Sequence, residues 1–115
     1  MVNTVMLIGR LTKDPEIVET EKGTKVSRIT LAIGRKFKSS DGTYRTDYID
    51  CILWNNFAKN VSTYCVKGDL IGIRGRLQVE TYEKDGVKKK VTDVIAESIT
   101  FLSSKSKEEI TISEN

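Results

Sequence analysis

Alternation of apolar and polar residues runs through three long stretches of this chain and places the strongest limit on its fold. Successive side chains of a β-strand point to opposite faces, so apolar residues at every second position predict strands with one face in a core. The predicted core-facing positions are Ile29, Leu31 and Ile33; Ile49, Cys51 and Leu53; and Ile71, Ile73, Gly75, Leu77 and Val79. The pattern predicts an all-β protein.

Turn signals divide the chain into five predicted strands, at about residues 4–11, 25–37, 46–55, 70–82 and 91–102. A short helix is predicted after the third strand, with Asn56 as its cap and with Lys67 and Gly68 at its end. Five strands with one short helix between the third and the fourth is the order of an OB-fold, a five-stranded Greek-key barrel.

The length of 115 residues suits one compact domain, which we expect at residues 1–102. Residues 103–115 are rich in serine and charged residues, and we expect a short flexible polar tail there. The formal charge is +3 for the whole chain. Because the predicted tail is slightly acidic, the domain itself is a little more basic, which is compatible with a polyanionic ligand without identifying one.

Metal, catalytic and membrane functions find little support in the sequence. The chain has no histidine, and Cys51 and Cys65 lie in apolar contexts without metal-ligand spacing, so we expect packed thiols, no metal and no cofactor. Acidic residues are scattered without repeated spacing, which argues against an enzyme. The apolar run at residues 5–8 is too short for a membrane span or a signal segment, so we expect a cytoplasmic protein.

Four aromatic residues fall near predicted strand ends on the predicted outward face: Phe37, Tyr48, Trp54 and Tyr82. A soluble protein normally buries such rings, since each removes ~150–250 Å² from water. Rings left on a solvated face favour a ligand with flat faces of its own, such as unpaired nucleic-acid bases. From these residues alone, ordinary packing of the rings is the alternative.

Five basic residues are the leading candidates for phosphate contacts. Arg35, Lys36 and Lys38 flank Phe37, and Arg74 and Arg76 share the predicted strand parity of Tyr82. For each of them the alternative is a solvated surface charge. The run of three lysines at residues 88–90 either extends the nucleic-acid path or keeps an exposed loop soluble.

The first predicted strand is apolar on both faces over its middle, at Val5, Met6, Leu7 and Ile8. A strand that is covered on both sides needs a second layer that one small barrel does not supply. These four residues therefore predict an oligomer interface, and the pattern supports at least a dimer.

Several short motifs also occur in a specific order and spacing: Asn3-Thr4-Val5-Met6-Leu7-Ile8-Gly9-Arg10-Leu11, Asp14-Pro15-Glu16, Ile29-Thr30-Leu31-Ala32, Leu53-Trp54, Lys67-Gly68 and Gly75-Arg76-Leu77. Together they resemble the bacterial single-stranded DNA-binding protein family over essentially residues 2–102. The resemblance implies sequence-independent binding of single-stranded DNA during replication, recombination or repair, without catalysis. It also implies that the four aromatic residues stack on bases.

The resemblance further implies a homotetramer built from dimers that pair through the first strand. Asp50, Gln78 and Glu80 stand where relatives often carry basic residues, so we expect a modest electrostatic contribution to binding. Compared with relatives, we expect a short form without the acidic C-terminal tip that recruits replication and repair enzymes, which places such recruitment in doubt. A naturally short paralogue, a phage or mobile-element version and a trimmed form of a longer protein all fit this pattern. The alternative is an OB-fold protein-interaction or primosome-type module with weak nucleic-acid binding, but such a module would be expected to lose the four aromatic residues.

Overall fold

The computed structural model describes residues 1–103 and contains six strands and one helix within them. The strands are β1 (Val5–Leu11), β2 (Val18–Glu19), β3 (Lys25–Lys38), β4 (Tyr44–Trp54), β5 (Leu70–Lys84) and β6 (Val87–Ser103), and helix α1 spans Asn56–Tyr64. The five long strands confirm the predicted fold. The two-residue β2 was not predicted, and the predicted tail, apart from Ser103 at the end of β6, lies outside the described residues.

The long strands form a closed barrel. Their order in the sheet is β1-β5-β6-β4-β3-β2, and β1 closes the barrel because its end, at Arg10 and Leu11, also pairs with Ala32 and Leu31 of β3. Strands β4 and β6 run parallel at Cys51 and Ile52, whereas the other pairs are antiparallel. This is the predicted OB-fold, with the helix between β4 and β5.

The predicted alternation places the core correctly in β3, in β4 and in the first half of β5. Leu31, Leu53, Ile71 and Ile73 are fully buried. Helix α1 adds Ala58 and Val61 to the same cluster, so the helix closes one end of the barrel. The opposite parity of β3 and β4 is left free to face solvent, which is where the outward side chains lie.

Beyond Gly75, strand β5 leaves the barrel, and the prediction that Leu77 and Val79 face the core is wrong. Strand β5 pairs with β1 only as far as Gly75, after which it continues with β6 as a two-stranded hairpin. No third strand covers that face, so Val79 is 54% exposed. A β-bulge at Arg74 and Gly75 marks the point where β5 leaves the barrel. The backbones approach so closely there that a side chain at position 75 would collide with the carbonyl oxygen of Ile95.

The predicted helix ends were also wrong. Asn56 is the first helical residue, and the cap position is Asn55, with φ at 53° and no side-chain hydrogen bond to the helix. The helix stops at Tyr64 because the Asp69 carboxylate accepts a hydrogen bond from the Val66 amide at 2.8 Å and favours a turn instead. Gly68, with φ at 93°, belongs to that turn and not to a helix cap.

Helix α1 is too short to cross a membrane, and the described residues contain no other helix.

Candidate nucleic-acid interface

Two of the four aromatic residues lie on the outward face of β4. Tyr48 pairs with Ala32 and Trp54 pairs with Val26 across the β3–β4 ladder. The two rings share one parity and stand roughly 20 Å apart along the strand. Tyr48 is well exposed and Trp54 is 39% exposed, so Trp54 offers part of its ring to solvent while the rest packs on the barrel.

The other two aromatic residues lie on hairpins that project from the barrel. Phe37 is 83% exposed, near the end of β3, where the pairing with β4 becomes irregular between Gly34 and Lys38. Tyr82 lies in the β5–β6 hairpin directly opposite Lys89, and its ring is also exposed. All four predicted stacking residues are therefore accessible to a ligand.

On the outward face of β3 and β4, between the Tyr48 and Trp54 rings, one cation faces two carboxylates. The Arg28 guanidinium donates to the Asp93 carboxylate at 2.7 Å and approaches Asp50 at 3.4 Å. The Thr30 hydroxyl donates to Asp50 at 2.7 Å. We call this surface the barrel platform and define it as Arg28, Thr30, Tyr48, Asp50 and Trp54. Its cation is already shared between two carboxylates.

The β3–β4 hairpin, residues 34–45, has a different balance of charge, and we call it the basic hairpin. It contains Arg35, Lys36, Lys38 and Arg45 but only one acidic residue, Asp41. Gly34 to Ser39 and Arg45 line an open cleft that includes the Phe37 ring. Cations beside an exposed ring are the arrangement expected for a single-stranded nucleic-acid path.

The five predicted phosphate contacts do not share one environment. The Arg35 guanidinium forms a fork with the Asp47 carboxylate, with its Nη2 atom at 2.9 Å and its Nε atom at 3.2 Å. This pair raises the pKa of Arg35 and lowers the pKa of Asp47. By contrast, within residues 1–103 no acidic side chain lies within ion-pair distance of Lys36, Lys38 or Arg45.

Asp41 is held inside the turn of the basic hairpin. Its carboxylate accepts hydrogen bonds from the Ser39 hydroxyl, from the Thr43 amide at 3.1 Å and from the Thr43 hydroxyl at 2.7 Å. These donors lower the pKa of Asp41 to about 2. Gly42, with φ at 85°, completes the turn. The acidic group therefore shapes the turn instead of pairing with the lysines.

The two predicted arginines of β5 lie at the barrel end of that strand. Arg74 is opposite Met6 of β1 and lies eight residues from Tyr82, which is roughly 26 Å along the strand. Arg76 donates to the Gln78 side chain at 3.0 Å and pairs with Glu97 at 3.7 Å. Both share the outward parity of Tyr82, but the structure does not bring Arg74 and the Tyr82 ring together.

The predicted interface residues of β1 divide into two pairs. Val5 and Leu7 pack against the core, whereas Met6 and Ile8 are exposed, Met6 by 71%. Met6 and Ile8 lie beside Gly72 and Leu102 in a shallow groove across β1, β5 and β6. The strand is apolar on both faces, as predicted, and one of those faces is uncovered in the single chain.

Sequence reasoning missed Tyr44. It is 63% exposed, and the Lys38 ammonium lies over its ring at 5.8 Å from the ring centre. The predicted third strand began at about residue 46, so Tyr44 was left in a loop without a face. The sequence did contain a signal for it. Tyr44 lies four residues before Tyr48, so on an extended strand both side chains point to the same face.

Among the metal-ligating side chains and the Cys51 thiol, residues 1–103 show no metal site and no reactive nucleophile. Within residues 1–103, no group of three or more His, Cys, Asp or Glu side chains is arranged to hold a metal ion. Burial raises the pKa of the Cys51 thiol to about 12, so the thiol stays protonated and unreactive. The surface features suit binding.

A closed five-stranded barrel with exposed rings and unpaired cations defines the class of the protein as an OB-fold with an oligonucleotide-type binding face. The chain belongs to the single-strand binding protein family, whose family model matches residues 2–102. This match confirms the predicted resemblance and agrees with a binding protein rather than an enzyme.

Three relatives illustrate the similarity. The chain is 45% identical to single-stranded DNA-binding protein B of Bacillus subtilis (strain 168), covering 94% of this chain and 96% of that protein. It is 46% identical to single-stranded DNA-binding protein 3 of Listeria innocua and 45% identical to single-stranded DNA-binding protein A of Bacillus subtilis. In these two the match covers 91% of this chain but only 66% and 62% of the relative.

Proposed function

We propose that this protein binds single-stranded DNA without sequence preference. Residues 1–102 act as the binding domain. Bases stack on four rings, Phe37, Tyr48, Trp54 and Tyr82. Phosphates are bound chiefly by Lys36 and Lys38. Arg35 and Arg76 contribute less because carboxylates already face them, and Arg74 contributes less because it lies far from the Tyr82 ring. The observation that carries this proposal is that all four rings are solvent-exposed on a barrel of the single-strand binding protein family.

Preference for unpaired strands follows from geometry. Stacking contributes ~1–3 kcal/mol per base and accepts any base, because every base has a flat face. Duplex DNA hides those faces, so it gains only the phosphate contacts on the same surface. Replication, recombination and repair all expose unpaired DNA, and a binding mode that ignores sequence suits its protection in each of them, in the cytoplasm of a bacterial cell or during phage growth.

The proposal is tested by the intrinsic fluorescence of Trp54, the sole tryptophan of the chain. Titration with an oligo-dT strand is expected to quench this fluorescence strongly, whereas a matched duplex is expected to have little effect. Tyr64→Ala removes an exposed ring of α1 that contacts Phe101 and is not one of the four proposed stacking residues, so this variant is expected to keep the wild-type affinity for oligo-dT. Equal quenching by both DNA forms, or none, would favour the OB-fold interaction module instead.

We also propose a homotetramer in which dimers pair through β1. The exposed Met6 and Ile8 side chains support it, since each offers apolar surface that a second copy would cover. Ile8→Glu is expected to shift the sedimentation coefficient toward a smaller species, while Val18→Glu, an exposed apolar position on the short β2, serves as the matched control. An unchanged coefficient for Ile8→Glu would place the subunit contacts elsewhere.

Recruitment of replication and repair enzymes is not part of this proposal.

A further inference from the structure

Tyr44 continues the row of aromatic residues on β4. Trp54, Tyr48 and Tyr44 share the outward parity of one strand, and Tyr44 stands roughly 13 Å beyond Tyr48. Phe37 lines the cleft of the basic hairpin together with Lys36, Lys38 and Arg45, whereas Tyr44 is not among the residues that line it. Along β4 itself, the next exposed ring after Tyr48 is therefore Tyr44.

The surroundings of Tyr44 suit a stacked nucleotide. Its ring is 63% exposed. The Lys38 ammonium lies 5.8 Å from the ring centre, near the outer limit of about 6 Å for a cation–π contact, so the lysine covers little of the ring. Lys38 has no acidic partner within residues 1–103. An exposed ring with an unpaired cation beside it offers one group for a base and one for its phosphate.

We propose that Tyr44 is a base-stacking residue and that, with Lys38, it holds a nucleotide beyond Tyr48 on the single-stranded path. This inference rests on the proposed single-stranded DNA binding and adds a position to it. A stacked base approaches the exposed side of the ring, while the Lys38 ammonium meets the phosphate that follows it. The path thus runs along β4 from the barrel onto the basic hairpin.

A tryptophan placed at position 44 reports directly on stacking there. In the double variant Trp54→Phe/Tyr44→Trp the only tryptophan lies at position 44, and phenylalanine preserves a ring at position 54. Titration with an oligo-dT strand of about 16 nucleotides, the upper end of site sizes for one OB-fold, is expected to quench this fluorescence. Absence of quenching, under conditions where a dye-labelled strand shows binding by anisotropy, would overturn the inference.

A second measurement separates stacking from a purely structural role. Tyr44→Ala is expected to weaken oligo-dT binding about five- to tenfold, and Tyr44→Phe, which keeps the ring, to bind like the wild type. If the Lys38–Tyr44 contact only stabilises the hairpin, Tyr44→Ala would lower Tm without changing affinity, and that result would also overturn the inference.

The two proposals fail in distinguishable ways. If the wild-type protein shows no quenching of Trp54 and no anisotropy change with oligo-dT, the proposed function fails and the role of Tyr44 fails with it. If Trp54 of the wild type is quenched but the tryptophan at position 44 is not, only the role of Tyr44 is lost.

Discussion

The barrel platform and the basic hairpin both present exposed rings, but they differ in how their charges are arranged. On the platform, Arg28 is shared between Asp50 and Asp93. On the hairpin, Lys36 and Lys38 have no carboxylate at ion-pair distance among residues 1–103. The platform is therefore suited to stacking and the hairpin to phosphate contacts, so one binding surface contains two regions with different dependence on salt.

The β5–β6 hairpin lies between these extremes. Residues 79–91 contain four lysines but also Glu80, Glu83 and Asp85. Lys89 stands opposite the Tyr82 ring, whereas Lys88 stands opposite Glu83 and is directed to the other face. The run of lysines is thus divided between two faces by strand parity, and Lys89 is its member closest to a predicted stacking ring.

The largest expected effect is on the platform. Trp54→Ala removes the largest ring of the platform and is expected to weaken single-stranded DNA binding about fivefold to 150-fold, from ~1–3 kcal/mol of lost stacking. Trp54→Phe is the control and is expected to retain most of the affinity. Because Trp54 is partly exposed at the end of β4, circular dichroism is expected to show an intact fold for both variants. A collapsed fold would instead place Trp54 among the core residues.

The next effect is on the hairpin. Lys36→Gln/Lys38→Gln removes two unpaired cations and is expected to weaken binding at low salt about five- to tenfold, since each phosphate contact releases counterions. Arg35→Gln is the comparison, with a smaller loss expected because its guanidinium already faces Asp47. An equal loss per charge in the two variants, measured by anisotropy, would show that pairing in the free protein does not determine phosphate contact.

Removing a negative charge from the platform is expected to make it resemble the hairpin. Asp50→Asn keeps an oxygen to accept the Thr30 hydrogen bond but removes one of the two carboxylates facing Arg28. Binding is expected to tighten about two- to threefold, with a steeper dependence on salt. Asp14→Asn makes the same charge change away from the face, where Asp14 accepts from the Lys67 amide. Equal tightening in both variants would indicate a general charge effect.

The smallest expected effect is on the pH dependence of the hairpin turn. Hydrogen bonds lower the pKa of Asp41 to about 2, below the value of about 4 expected in an unfolded chain. A lowered carboxyl pKa stabilises the folded form above pH 4, and this contribution is lost as pH falls from about 4 to about 2. Asp41→Asn is expected to lack that component when Tm is followed over this range. Identical pH profiles would show that the turn does not depend on the carboxylate.

The sequence predicted the barrel better than it predicted the ends of its elements. Alternation placed Leu31, Leu53 and Ile73 in the core because each lies on a strand with neighbours on both sides. The same alternation failed at Leu77 and Val79, because parity gives the direction of a side chain but not whether another layer covers it. That depends on where β5 loses β1 as a partner, which is a tertiary property.

The site was predicted in its residue types but not in its pairings. The four rings are exposed because they lie on outward parity or on projecting hairpins. The carboxylate partners of Arg35 and Arg76, by contrast, come from other strands, Asp47 on β4 and Glu97 on β6, and only the register brings these groups together. Tyr44 was missed because the predicted third strand began about two residues too late, so no face of the sheet was assigned to its side chain.

The most direct test of the two-region account is the salt dependence of oligo-dT affinity, measured in parallel for the wild type, Trp54→Ala and Lys36→Gln/Lys38→Gln. In a plot of log affinity against log salt, Trp54→Ala is expected to shift the line downward without changing its slope. The lysine variant is expected to reduce the slope by about 1.4, at about 0.7 for each single-strand phosphate contact. A reduced slope for Trp54→Ala, or an unchanged slope for the lysine variant, would contradict the division between a stacking platform and a charged hairpin.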